Sequence, residues 1–258
     1  MSSATRIEVL STPNEFCALT ANQLESTTCI VFDILRATTS MITALAHGAH
    51  AIHPVSSIPK ALEVKQTHPQ ALLCGERHGL RITAKDSGSI DFDLGNSPRE
   101  FNTPSILNKE LIVTTTNGTR ALHAALPAEA TFVSSFLNLA ATAHNLRQLK
   151  PHSLLIIGAG TYEEAALEDT LAAGALCNAL WDIYSHGHVA DSALMARMIY
   201  QTQGSPLLKG LSQSRNGKRL LRMPELCDDV VFAAQQDQFP ILAKLEPDGW
   251  IRRCTSQS

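Results

Sequence analysis

The sequence predicts an α/β protein: three layers, α/β/α, around a mainly parallel or mixed sheet, with two similar halves as one form it can take. Three observations lead there. Short, nearly continuous apolar runs suit strands buried on both faces. Ala- and Leu-rich stretches at helical spacing fall between them. Polar turns follow the apolar runs, where open α/β sheets bind their ligands.

In chain order, residues 29–32, 71–74, 111–113 and 154–157 are the expected strands. Residues 57–64 open a helix, with Pro59 where a first turn tolerates it. Residues 138–149 and 165–184 carry helical periodicity, and the second is long enough to cross a sheet. Strands alternating with helices argue for a sheet covered on both faces. A weak repeat runs through this pattern. Strand 29–32 leads through a Thr-bearing turn and an Ala-rich helix to a strand ending Val55-Ser56-Ser57. Strand 111–113 leads through a Thr-rich turn and a second Ala-rich helix to Val133-Ser134-Ser135. Internal duplication and two ordinary βαβ units that happen to be alike both fit.

After Gly204-Ser205-Pro206, short helical pieces surround Ser212-Gln213-Ser214-Arg215-Asn216-Gly217. Pro247-Asp248-Gly249 divides 241–245 from 250–253 as a hairpin. No low-complexity linker interrupts the chain, so residues 1–258 read as one domain, with 255–258 expected to fray.

At 258 residues such a domain buries a large core without staples. A net charge of −3 offers no basic field to nucleic acid or an anionic membrane, so any bound anion must be held by local groups. No apolar run approaches the roughly 20 residues that span a bilayer, and Met1–Arg6 does not begin a secretory signal. The six cysteines form no CxxC pair and most have apolar neighbours. Reduced, buried thiols in a cytoplasmic protein are expected. Oligomeric state is left open, a homo-oligomer included.

Four segments carry chemistry. Phe32-Asp33-Ile34-Leu35-Arg36-Ala37-Thr38-Thr39-Ser40 sets a carboxylate, a guanidinium and hydroxyls between a buried strand and a helix N-terminus. Asp33 suits a metal ligand or a nucleophile, Arg36 a two-pronged anion clamp, and Thr38 and Thr39 are phosphate donors. An N-cap cluster with a structural Asp–Arg pair is the plain alternative. Thr114-Thr115-Thr116-Asn117-Gly118-Thr119-Arg120 resembles a phosphate cradle without the P-loop lysine, and Thr115, Thr116, Asn117, Gly118 and Thr119 are its binding candidates.

The third segment runs through Gly75-Glu76-Arg77 to Asp91-Phe92-Asp93-Leu94-Gly95-Asn96-Ser97-Pro98. Glu76 follows a buried strand, where a charge needs a partner or a metal, while Ser97-Pro98 reads as a good N-cap and first helical residue. A solvated turn is the plain account of Asp91 and Asp93. The fourth is Gly158-Ala159-Gly160 with Glu163-Glu164 and Glu168-Asp169. Carboxylates stand where a pyrophosphate would sit, which argues against a dinucleotide loop. Glu168 and Asp169 can instead bind Mg²⁺, a hard cation that prefers oxygen, or serve as plain helix-start acids. Asn138 opens the helix expected over 138–149.

Taken together these segments resemble the 2-phosphosulfolactate phosphatase family. The motifs run in order: Asp33-Ile34-Leu35-Arg36-Ala37-Thr38-Thr39, Gly75-Glu76-Arg77, Phe92-Asp93-Leu94-Gly95-Asn96-Ser97-Pro98 and Thr114-Thr115-Thr116-Asn117-Gly118-Thr119. Ser135-Phe136-Leu137-Asn138, Glu168-Asp169 with Ala173-Gly174, Asn216-Gly217 and Asp229-Val230 follow. Ser40 departs from the threonine often found there, and Ala172-Ala173 replaces a Cys-Ala pair. The resemblance implies Mg²⁺-dependent hydrolysis of 2-phospho-3-sulfolactate to 3-sulfolactate and phosphate, a step of coenzyme M synthesis in methanogens. Asp33, Glu76 and Glu168 or Asp169 are the expected metal ligands, with Asp33, Arg36, Glu76 and Asp169 as the catalytic set. Asn96 and Ser97 are expected to add neutral donors and Asn138 to join the binding residues, with Arg77 and Arg120 as the expected partners of the carboxylate and sulfonate. Leu35 stands where haloacid-dehalogenase-type phosphatases carry a second Asp, which favours water over an aspartyl-phosphate at Asp33. Another phosphorylated 2-hydroxy acid as substrate, or a non-catalytic metabolite sensor, are the alternatives.

Overall fold

A computed structural model describes residues 5–254; the termini, with the tail expected to fray, lie outside the described residues. Eleven strands form one sheet: β1 (Arg6–Leu10), β2 (Thr27–Phe32), β3 (Ala51–Pro54), β4 (Leu72–Arg77), β5 (Leu80–Arg81), β6 (Glu110–Thr114), β7 (Ala130–Val133), β8 (Ser153–Gly158), β9 (His188–Val189), β10 (Leu242–Leu245) and β11 (Ile251–Cys254). Their order is β5-β4-β6-β3-β11-β10-β7-β2-β8-β1-β9. The expected strands 29–32, 71–74, 111–113 and 154–157 fall within β2, β4, β6 and β8, apart from Ala71, which precedes β4.

These strands form because their apolar residues face both ways. In β2, Cys29 and Val31 pack on one face while Ile30 and Phe32 pack on the other; in β8, Leu155 and Ile157 oppose Leu154 and Ile156 in the same sense. Helices Ala37–Ala46 and Gly118–Ala125 cover the first face. Helices Leu139–Leu149, Leu167–Ala179 and Asp191–Gln203 cover the second. The expected long helix 165–184 breaks at Leu180 into Leu167–Ala179 and Trp181–Tyr184.

The sheet is mixed in an ordered way. β4, β6 and β3 are mutually parallel, as are β7, β2, β8, β1 and β9. The β10–β11 hairpin joins the groups through antiparallel pairing on both sides. Three reversals in succession make the two groups run opposite to each other. Unit β2–helix–β3 starts in one group and ends in the other, and β6–helix–β7 returns. The two like units of the sequence are therefore arranged symmetrically about the hairpin. Strand twist of roughly 20–25° per step accumulates over the five steps from β6 to β2. The C-terminal ends of β4 and β6 from one group and of β2 and β8 from the other meet at one pocket.

Among the described residues no helix is long and apolar enough to cross a membrane. All six cysteines are free; Cys29, Cys74 and Cys177 are buried, whereas Cys17 is exposed and Cys227 and Cys254 are half-buried.

Candidate active site

The pocket has a volume of about 130 Å³ and lies where β2, β4, β6 and β8 end. Its walls are Asp33 and Arg36 after β2, Glu76 to Gly79 at the β4–β5 turn, Asn96, Thr115 to Asn117 after β6, Thr161 and Tyr162 after β8, and Asn216 and Arg219 from helix Arg215–Leu220.

Asp33 is one of two buried carboxylates on this wall, with Glu76. Its turn closes on itself: Thr38 Oγ1 accepts from Asp33 N at 3.0 Å and donates to Asp33 O at 3.0 Å, while Ala37 N donates to Asp33 Oδ1 at 3.2 Å. Gly118 leaves room for the other oxygen, since a Cβ there would lie 2.7 Å from Asp33 Oδ2. Burial pushes the Asp33 carboxyl up to about 7, helped by the negative charges of Glu168 and Glu76 and opposed by the Ala37 amide and Arg36.

Glu76 is buried and braced. Oε1 accepts from Thr116 N at 3.0 Å and Thr116 Oγ1 at 2.9 Å, and Oε2 accepts from Gly79 N at 2.8 Å. One carboxylate thus shapes both the threonine turn and the β4–β5 turn. Arg36 closes the same turn by donating to Gly79 O at 2.6 Å, while its Nη1 meets Asp229 Oδ2 at 2.8 Å. Asp229 also accepts from Ser97 Oγ at 2.6 Å and Arg99 Nε at 2.9 Å. The Arg36 charge is thereby neutralised inside the protein.

Glu168 and Asp169 share the start of a helix but face different partners. Asp169 accepts from Ile34 N at 2.8 Å and Gly160 N at 3.1 Å, pinning the loops after β2 and β8 together. Burial, with Glu168 and Asp33 nearby, holds its carboxyl well above the usual carboxylate range. Gly160 N is therefore not available to a pyrophosphate. Glu168 Oε1 accepts from Asn216 Nδ2 at 2.5 Å, but Oε2 is buried without a partner. Thr115 Oγ1 is a second buried oxygen without one. Buried polar atoms are normally satisfied, which sets these two oxygens apart; Thr115 lines the pocket and Glu168 lies behind its wall. Among the described residues no three carboxylate, imidazole or thiol groups converge to hold an ion by themselves.

A family model described as 2-phosphosulpholactate phosphatase matches residues 16–248 of the chain. This chain belongs to the 2-phosphosulfolactate phosphatase family. Relatives carrying the name "Probable 2-phosphosulfolactate phosphatase" agree. The protein of Symbiobacterium thermophilum is 34% identical over 86% of this chain and 92% of its own length. That of Pseudothermotoga lettingae is 36% identical over 87% and 92%, and that of Clostridium acetobutylicum 33% over 87% and 90%. By those names the family is one of phosphoric monoester hydrolases.

Of the residues singled out in the sequence, this family member brings Asp33, Arg36, Glu76, Asn96, Thr115, Thr116 and Asn117 to the pocket wall. Glu168 stands behind it, reached through Asn216. Others hold the backbone and do not line the wall. Thr38 closes the Asp33 turn, and Thr39 Oγ1 donates to Ile34 O at 2.8 Å. Ser97 serves Asp229, Thr119 Oγ1 donates to Thr115 O at 3.2 Å, and Gly118 gives Asp33 its space. Asn138 accepts from Ser135 N at 2.9 Å and donates to Ile241 O at 3.1 Å, tying its turn to the chain before β10. Asp93 Oδ2 accepts from Leu73 N at 2.8 Å and Asp91 Oδ1 from Ala84 N at 2.6 Å, which places both in structural turns. Arg77 lines the wall but donates to Glu76 O at 2.6 Å and Thr114 Oγ1 at 3.2 Å. Arg120 pairs with Glu163 at 2.8 Å and is absent from the wall.

Sequence reasoning gave no role to His78, Thr161, Tyr162 or Arg219. Asn216 and Asp229 stood in family motifs without one. Nothing in the local pattern around His78, Tyr162 or Arg219 distinguishes them from ordinary surface residues.

Proposed function

We propose that this protein hydrolyses 2-phospho-3-sulfolactate to 3-sulfolactate and inorganic phosphate with the help of Mg²⁺. The observation that carries the reading is that two buried oxygens without partners, Thr115 Oγ1 on the pocket wall and Glu168 Oε2 behind it, accompany the buried Asp33 carboxyl, whose acid form burial and the charge of Glu168 favour. The volume of about 130 Å³ is far below the roughly 300–1,000 Å³ of sites for drug-sized ligands and suits a small polyanion.

Asp33 and Glu168 would hold the cation, with Glu76 adding negative charge close enough to be felt by Asp33. Mg²⁺ is usually bound through one or two carboxylates together with substrate phosphate, so this donor set fits it without a three-carboxylate cage. The cation would supply positive charge to the non-bridging phosphate oxygens and to the attacking water. Thr115 Oγ1 and the Asn96 and Asn117 amides donate to the phosphate and hold it in line. Glu76 keeps the threonine turn in shape, and Arg36 keeps Gly79 in place. Water oxygen forms the new P–O bond as the ester P–O bond breaks, and the leaving alkoxide takes up a proton.

Phosphate release from synthetic phosphosulfolactate, measured with EDTA and after Mg²⁺ is restored, tests the proposal. Turnover that survives complete chelation removes the metal from it; no turnover with Mg²⁺ removes the substrate. A phosphorylated Asp33 peptide after rapid quench would replace water with Asp33 as the nucleophile.

A further inference from the structure

The pocket has three arginines on its wall, and two are already committed. Arg36 is buried and bonded to Asp229 and Gly79, and Arg77 is bonded to Glu76 O and Thr114 Oγ1. Arg219 makes no side-chain hydrogen bond and no ion pair among the described residues, and it is exposed at the mouth. It also lines an open cleft shared with Arg215, Lys218, Arg222 and Met223. Positions 215, 218 and 219 follow the i, i+3, i+4 spacing that sets side chains on one helix face, and Arg222, just past the helix end at Leu220, lines the same cleft. Arg215 pairs with Glu164; Lys218 and Arg222, like Arg219, have no ion pair among the described residues. Like charges on one face repel, and in a chain of net charge −3 such a cluster is a local exception.

This face is held in position. Gly217 N donates to Ser214 Oγ at 2.9 Å, and a Cβ on Gly217 would lie 2.0 Å from Leu211 O, so the helix sits directly against the preceding one. On the inner side Asn216 reaches Thr161 Oγ1 at 2.6 Å and Glu168. One short helix therefore contacts the carboxylate proposed for the cation and presents Arg219 toward the entrance.

We infer that Arg219, supported by Lys218 and Arg222, receives the second anionic group of the substrate, a carboxylate or sulfonate, and makes the enzyme select phosphoesters that carry one. This rests on the proposed phosphatase activity and adds its specificity. The sequence pointed to Arg77 and Arg120 for the task; their hydrogen bonds take both out of it. Arg219 acts on binding, since the phosphate itself is met by the groups deeper in the pocket.

The test compares wild type, Arg219→Ala and Arg219→Lys on phosphosulfolactate, phospholactate and glycerol 2-phosphate, which has no second anion. Losing a hydrogen bond to a charged group raises KM about 10- to 100-fold. That rise is expected for the first two esters in Arg219→Ala, with kcat within about threefold, partial recovery in Arg219→Lys, and little change for glycerol 2-phosphate. Equal losses on all three esters, or none, overturn the inference. Thermal stabilisation by 3-sulfolactate, a dianion without phosphate, reads the subsite independently of turnover. Its loss in Arg219→Ala supports the inference and its persistence overturns it. A wild type that releases phosphate from no ester fails the phosphatase reading instead.

Discussion

At the scale of single residues, the Asp33 carboxyl decides most. Its acid form is favoured in the folded protein, with the pKa moved from 3.8 to about 7. Below the unfolded value both states are protonated and Asp33 does not weaken the fold. Between about 4 and 7 the unfolded chain ionises first, so the metal-free protein loses stability as pH rises through that window. Asp33→Asn is therefore expected to stabilise the metal-free protein at pH 8 by on the order of 2–4 kcal/mol, read from urea denaturation, while turnover falls by at least roughly 10²–10³-fold. Protons and Mg²⁺ compete for the same oxygens. Calorimetric titration should show Mg²⁺ binding tighten by up to about tenfold per pH unit below pH 7 and level off above it. Affinity that stays flat across this range contradicts the ligand role of Asp33. Gly118→Ala puts a methyl 2.7 Å from Asp33 Oδ2 and 2.8 Å from Ala37 Cβ. Displacement of Asp33 by that methyl is expected to lower kcat by up to about 10²-fold, in steady-state assays, with the circular dichroism spectrum retained.

At the scale of elements, the buried Arg36–Asp229 pair joins three pieces of chain: the turn after β2, the β4–β5 turn and helix Cys227–Ala233. Such pairs contribute little net stability but are damaging to break, because the remaining charge stays buried. Asp229→Ala strands Arg36 and removes the acceptor of Ser97 and Arg99. A loss of about 3–5 kcal/mol is expected, measured by denaturant midpoint, with activity lost in the fraction that still folds. The helices of the second face meet as closely. A Cβ on Gly174 would fall 2.1 Å from Ala196 O, so Leu167–Ala179 and Asp191–Gln203 touch through backbone. Gly174→Ala should force them apart at a cost of about 1–3 kcal/mol; an unchanged thermal midpoint would argue that the helices part freely.

At the scale of the whole molecule, the C-terminal hairpin is what makes two opposed parallel groups into one sheet. Gly249, at φ +83°, turns the chain, and Trp250 stacks on His53 of β3 with ring centroids 4.7 Å apart. β10 adds a ladder to β7 on the other side. Because the units β2–helix–β3 and β6–helix–β7 cross from one group to the other, neither group is complete on its own. Unfolding is expected to be a single cooperative transition, with far-ultraviolet dichroism and tryptophan fluorescence coincident. Two separated transitions would divide the chain into independent units.

Elements with a local cause were legible in the sequence. The apolar runs of β2, β4, β6 and β8 and the Pro-Asp-Gly turn of the hairpin each follow from neighbouring residues alone, and so did the three-layer class. Asp33, Glu76 and Thr115 to Asn117 were legible too, because a polar residue directly after a buried strand has few places to go. The sequence could not tell which hydroxyl faces the pocket and which holds the backbone: Thr38 and Thr115 are the same residue type in like turns. It could not tell that Arg36 and Arg77 are occupied while Arg219, more than a hundred residues away, has no side-chain partner among the described residues. Hydrogen-bond partners are chosen by distance in space, and here that distance depends on strand order, opposed strand sense and accumulated twist, none of which a single strand's pattern contains.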